Sequence, residues 1–336
     1  MLRGRVLTKL AVAVGSALAL VGAATAQTIE LKVSHFVPPN HAFHKFVTAW
    51  AEKLEKESGG KLKFQIYPAG QLGGGANRQF DSARNGVVDI AFSTHGGTPG
   101  RYPLTELMSL PFAAPATGAT SESMSRRATE LSGKYLAKEH QGLHILFIAV
   151  TSPLKVHSIP PVNKVDDLKG MKIRFLGIQL KNVIDAVGGV PVPVPPPETQ
   201  DALSKGIVEA ATFPFEGAAS FGLGTVVKYS LEPGISSATF AVVMNQAKYN
   251  SLPPELKSLI DKSTGPDAAQ AFGALWDQAE IEGKNSMTAK GVTVNTLPAP
   301  ELQKFKTLVA PQIEAALADA ERKGLPARAF YQDYLK

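Results

Sequence analysis

The chain has 336 residues, 44% of them hydrophobic and 19% charged, so it can bury a sizeable core; fibrous and disordered classes are excluded and two lobes are expected. It contains no cysteine, which excludes disulfides, thiol catalysis, cysteine-ligated metals and a lipid-anchored cysteine. The formal charge of +6 includes Arg3, Arg5 and Lys9; the remainder is dispersed among Glu and Asp without a basic run, so no nucleic acid partner is expected.

Residues 1–26 read as a secretory signal peptide. The three cations form its basic start, Leu10–Gly22 its apolar stretch, and Ala24-Thr25-Ala26 the small-x-small cleavage site near Ala26. The apolar stretch is shorter than the ~20 residues a membrane span needs, so a soluble, exported protein is expected. Thr28–Phe36 alternates apolar and polar residues as a strand does. After Pro38-Pro39-Asn40, the spacing of Phe43, Phe46, Val47, Trp50 and Leu54 predicts a helix, stopped by Ser58-Gly59-Gly60. Lys61–Tyr67 reads as a strand, Ala76–Asn85 as a helix and Val87–Ser93 as an apolar strand. This β-α-β-α-β order implies a parallel sheet.

Gly118–His140 reads as helical, Leu143–Val150 as a buried strand, and Met171–Phe175 and Ile207–Phe213 as two more strands around the helix Ile178–Val187. Thr239–Met244 is a further strand; helices follow at Pro254–Ser263, Pro266–Ala289 and Pro300–Lys323. Two sheets without an obvious linker suggest lobes connected more than once.

The chemistry-bearing candidates are few. No GxSxG elbow is present, and Gly73-Gly74-Gly75 lacks the Lys-Ser/Thr of a phosphate loop. His35, His41 and His44 have no carboxylate in register, so no metal site is expected. Asp166-Asp167 suits the start of a turn, and Glu209 with Glu216 is an unsupported catalytic pair. Arg174 is different. It stands at what reads as the exposed end of its strand, between Ile173 and Phe175, where open α/β sheets bind ligands; a guanidinium matches a carboxylate bidentately. A periplasmic enzyme acting on organic acids in the same cleft is the alternative from another class.

SGGKLKFQIYPAGQLGG, NGVVDIAFS, VDDLKGMKIRFLG, VGGVPVPVP, ETQDALSKGIVEA and VVMN, in that order, resemble the solute-binding receptors of tripartite ATP-independent periplasmic (TRAP) transporters over essentially the whole mature chain. The resemblance implies an α/β fold of two lobes, discontinuous in sequence, closing like a flytrap and spanned by a long helix, which Pro266–Ala289 resembles. Residues 27–152 with 239–279 would form lobe I, and 153–238 with 280–336 lobe II. It also implies a receptor that hands a small-molecule carboxylate to ion-driven membrane subunits of a TRAP transporter, with no cofactor and no chemistry; a monomer is expected. Arg174 matches the family's carboxylate-binding arginine. Phe213, followed by the matching Pro214, stands where many members carry asparagine; Phe36 stands where members can carry a polar residue, and Thr94 and His95 where an acid can occur. Thr151-Ser152-Pro153 lacks a second arginine found in some members. With Phe36, Phe213 and Phe175 as walls and Thr94 and His95 as neutral donors, the expected ligand is a monocarboxylate with an aromatic or branched apolar body, because a sugar acid's hydroxyls would go unpaired. Phe213 could equally face the core.

Overall fold

The computed structural model describes residues 28–336; the signal peptide read at 1–26 lies outside the described residues. Eleven strands follow in chain order: β1 Ile29–His35, β2 Leu62–Tyr67, β3 Ile90–Thr94, β4 Leu143–Val150, β5 Lys155–Ser158, β6 Lys172–Phe175, β7 Val190–Pro193, β8 Ala210–Phe213, β9 Tyr229–Glu232, β10 Thr239–Asn245 and β11 Thr293–Thr296. They form two sheets. The first has the order β2-β1-β3-β10-β4, the second β11-β9-β5-β8-β6-β7. β1 is parallel to β2 and β3, as the alternating βα order requires, whereas β10 runs antiparallel to both β3 and β4. In the second sheet β6 is parallel to β7 and β8, and β5 is antiparallel to β8 and β9.

Each sheet carries cores on its two faces. In the first lobe, the helix Ala42–Glu57 buries Phe43, Val47 and Leu54 against β1 and β3. His41 caps its start by accepting the Phe43 N–H at 3.1 Å, and Gly59 and Gly60, at φ +62° and +79°, turn the chain away at its end. In the second lobe, Ile173, Val183 and Ile184 form one core and Phe213, Phe215 and Met287 belong to another.

The chain crosses between lobes four times. Residues 151–154 and 233–238 pair as they cross: Thr151 N–H donates to Ala238 O at 3.0 Å, and Ile235 N–H to Leu154 O at 3.0 Å. The helix Pro266–Ala289 is the third crossing, with Phe272 and Trp276 in the first lobe's core and Met287 in the second's. The helix Ala299–Arg322 is the fourth. It leaves Phe305 and Val309 in the second lobe and carries Leu317 and Ala320 into the first, where the closing helix Ala327–Leu335 buries Phe330 and Tyr334. The expected allocation of 280–336 to lobe II therefore differs from the packing at its C-terminal end. Among the described residues, no helix is long and apolar enough to cross a membrane.

Candidate functional site

The lobes meet around an apolar cavity with a void of about 490 Å³ including its mouth. β6 explains its one cation. Successive strand residues face opposite ways, so Ile173 and Phe175 turn into the second lobe's core while Arg174 turns towards the cleft. Arg174 is not at an exposed strand end, as the sequence suggests; it is only 2% exposed, held against Val194, Thr212 and Phe213 of its own lobe. Its Nε donates to Val194 O at 2.9 Å and Nη1 to Thr212 O at 3.0 Å, and its guanidinium lies 4.1 Å from the centre of the Phe213 ring. Nη2 is buried without a hydrogen-bond partner among the described residues. Burial pushes the guanidinium pKa down to about 9, so it stays charged at neutral pH.

The remaining walls are mostly apolar. Phe36 and Phe240 line the cavity from the first lobe, nearly parallel with centroids 6.4 Å apart, and Trp276 packs edge-on to Phe240 at 5.2 Å. Phe213, Pro214, Leu176 and Leu180 face them from the second lobe. Phe213 is both wall and core: it lines the cavity and packs in a cluster with Phe215 and Leu223.

Of the sequence-derived candidates, Arg174, Phe213, Phe36 and Pro214 are brought together at this cavity. Thr94 lies at an adjoining recess, its hydroxyl donating to Thr239 O at 3.1 Å. Two candidates fall elsewhere. Phe175 is in the core behind Arg174 for the reason of strand alternation. His95, one residue past Thr94, turns into the first lobe's interior, where its Nδ1 is 3.1 Å from Thr239 Oγ1 and its Nε2 3.0 Å from His140 Nε2. Burial holds its pKa well below the usual histidine range.

Glu216 and His41 were not expected at the cleft. Glu216, in the helix Phe215–Ser220 of the second lobe, lines the cavity with both carboxylate oxygens engaged. Oε1 accepts from Ala42 N–H at 3.2 Å and Ser220 Oγ at 2.9 Å; Oε2 accepts from Trp276 Nε1–H at 3.0 Å. His41 Nε2 is 3.2 Å from Oε2. Because His41 Nδ1 accepts from Phe43 N–H and burial lowers its pKa, the ring is neutral with its proton on Nε2, donated to Glu216. One carboxylate thus ties the second lobe to the first. Among the described residues no group of three or more His, Cys, Asp or Glu is arranged to hold a metal ion, and His35 and His44 pair with each other at 3.0 Å.

Two sheets joined by paired crossovers, with a buried arginine and aromatic walls between them, define a ligand-binding protein of the flytrap class. The chain belongs to the bacterial extracellular solute-binding protein family 7, whose model matches residues 33–319. Its solved neighbours are TRAP solute-binding proteins. One from Rhodoferax ferrireducens, in complex with copurified benzoate, is 31% identical with a TM-score of 0.87, covering 91% of this chain and 96% of its own. A marine metagenome protein specific for aromatic acid ligands, with 3-hydroxybenzoate, is also 31% identical at TM-score 0.87, covering 92% and 97%. A third, from Bordetella bronchiseptica with bound mandelate, is 28% identical with a TM-score of 0.83, covering 91% and 97%.

Proposed function

We propose that the protein is a periplasmic receptor for an aromatic monocarboxylate, which it encloses between its lobes and hands, as a monomer, to the membrane subunits of a TRAP transporter. The observation that carries this is Arg174, a buried cation whose Nη2 has no partner among the described residues, in a cavity with mostly apolar walls. An uncompensated buried charge is unfavourable, and an anion reaching Nη2 relieves it through a charge-assisted bond worth ~1.5–3 kcal/mol. A carboxylate there places its ring between the first-lobe phenylalanines and Phe213, burying apolar area at ~25 cal/mol per Å². The benzoate, hydroxybenzoate and mandelate of the related proteins have this shape and charge. Binding without turnover is favoured because Glu216, the carboxylate at the cavity wall, spends both oxygens on protein donors and is not available as a base.

Thermal melting against a panel of acids tests the reading. Ligand at 100 times its dissociation constant stabilises by ~2.7 kcal/mol. Benzoate, mandelate or a phenylacetate should raise the melting temperature by a few degrees, and glucuronate and succinate should not. A shift confined to sugar acids or dicarboxylates would contradict it, and release of a product would replace the receptor by an enzyme.

A further inference from the structure

A second, smaller recess opens beside the carboxylate cavity at the same lobe interface. The two spaces share Leu176, Leu180 and Ala238 as common walls. Across the recess, Thr94, Glu106 and Thr239 of the first lobe face Gln179 of the second.

Several of its polar groups are acceptors with no proton to spare, beside the Gln179 amide nitrogen and the Ser109 and Ser237 hydroxyls, which can donate. Gln179, on the first turn of the helix Ile178–Ala186, is 8% exposed, and its Oε1 is buried with no hydrogen-bond partner among the described residues. Thr94 spends its proton on Thr239 O. The proton of Thr239 is committed by a relay of fixed tautomers. His140 Nδ1 lies 2.9 Å from Leu136 O and must donate to it, so His140 Nε2 accepts from His95 Nε2–H. His95 Nδ1 is then an acceptor, and the Thr239 hydroxyl donates to it, leaving only lone pairs for the recess. Glu106 accepts the Gly100 N–H on Oε1 at 2.7 Å, and its carboxylate is an acceptor wherever it is ionised. The buried Gln179 oxygen has no such donor in reach, and an unpartnered buried acceptor calls for one from outside the chain.

We propose that this recess is a specificity subsite which takes a hydrogen-bond donor, a hydroxyl or amino group, carried by the ring of the bound aromatic acid, with Gln179 as the principal acceptor. It rests on the aromatic-acid reading above. The expected ligand is therefore a substituted acid, with its carboxylate at Arg174 and its donor past Leu180.

Titration calorimetry with benzoate, the three hydroxybenzoate isomers and their methoxy analogues tests this. One hydroxy isomer should bind on the order of tenfold more tightly than benzoate and than its own methoxy analogue, which has no proton to donate. In Gln179→Leu the ratio between that isomer and benzoate should fall towards one. Benzoate binding with no isomer preferred, or a preference that survives Gln179→Leu, overturns the subsite alone. Failure of every aromatic acid to bind overturns the reading on which it rests as well.

Discussion

Arg174 and Glu216 divide the work of the cleft between them. In the proposed receptor the arginine supplies the charge that recognises an anion, and the glutamate supplies bonds between the two lobes. Trp276 Nε1 and Ala42 N, both first-lobe donors, reach Glu216 across the cleft. Glu216→Ala removes these bonds. Hydrogen bonds to a charged group are worth ~1.5–3 kcal/mol each, so ligand affinity should fall roughly tenfold to a hundredfold, chiefly through faster release measured by stopped-flow Trp276 fluorescence. An unchanged release rate would show that Glu216 does not hold the closed state. The arginine was legible from KIRF and its place in a strand pattern. The glutamate was not, since its partners lie 174 and 60 residues away in the chain and no local spacing reports them. His95 was misplaced for a related reason: one step beyond Thr94 is enough to turn a side chain from the cleft to the interior.

Closure also depends on two short elements whose backbones touch. Gly177, at φ +92°, starts the helix Ile178–Ala186, and a Cβ on Gly96 would lie 3.1 Å from its Cα. Gly96 itself has an ordinary φ, so a larger residue there strains the lobe contact rather than its own backbone. Gly96→Val should therefore prop the lobes apart, weakening ligand binding about tenfold or more while leaving the unliganded melting temperature nearly unchanged. Small-angle scattering in saturating ligand should show a larger radius of gyration than for the parent protein; identical scattering would contradict this. Element boundaries were most legible where the pattern is long: Leu143–Val150 and Pro266–Ala289 have the same limits in sequence and structure. β5, β9 and β11 were missed because they are short and, unlike the equally short β6 and β8, do not lie within a longer apolar stretch, and Val190-Pro191-Val192-Pro193 of β7 mimics a loop.

At the scale of the whole molecule, the interior is lined with neutral histidines. Desolvation lowers the pKa of His35 to about 3, of His140 to about 4 and of His157 to about 3, and lowers those of His41 and His95 in the same direction. In the unfolded chain each titrates near ~6.5. As pH falls below that value the unfolded chain takes up protons that the folded chain refuses, so each histidine withdraws stability until its folded pKa is reached. Glu106, pushed up to about 7 by burial, and Glu139, raised by the same cause, act oppositely and recover part of the loss below pH 7. Five histidines outweigh two acids. The melting temperature should fall steadily from pH 6.5 to pH 4.5, and a flat or rising profile would contradict the account. The two-lobed α/β plan and the spanning helix Pro266–Ala289 were legible in the ordered motifs. The second spanning helix was not, because nothing in Ala299–Arg322 distinguishes the half that packs on one lobe from the half that packs on the other.

The most direct measurement is titration calorimetry of benzoate, and of its neutral counterpart benzamide, into the parent protein and Arg174→Met. Benzoate should bind the parent and bind the variant at least a hundredfold more weakly, while benzamide fails with both. Equal benzoate affinity in the two proteins would contradict the central claim that Arg174 holds the ligand's carboxylate.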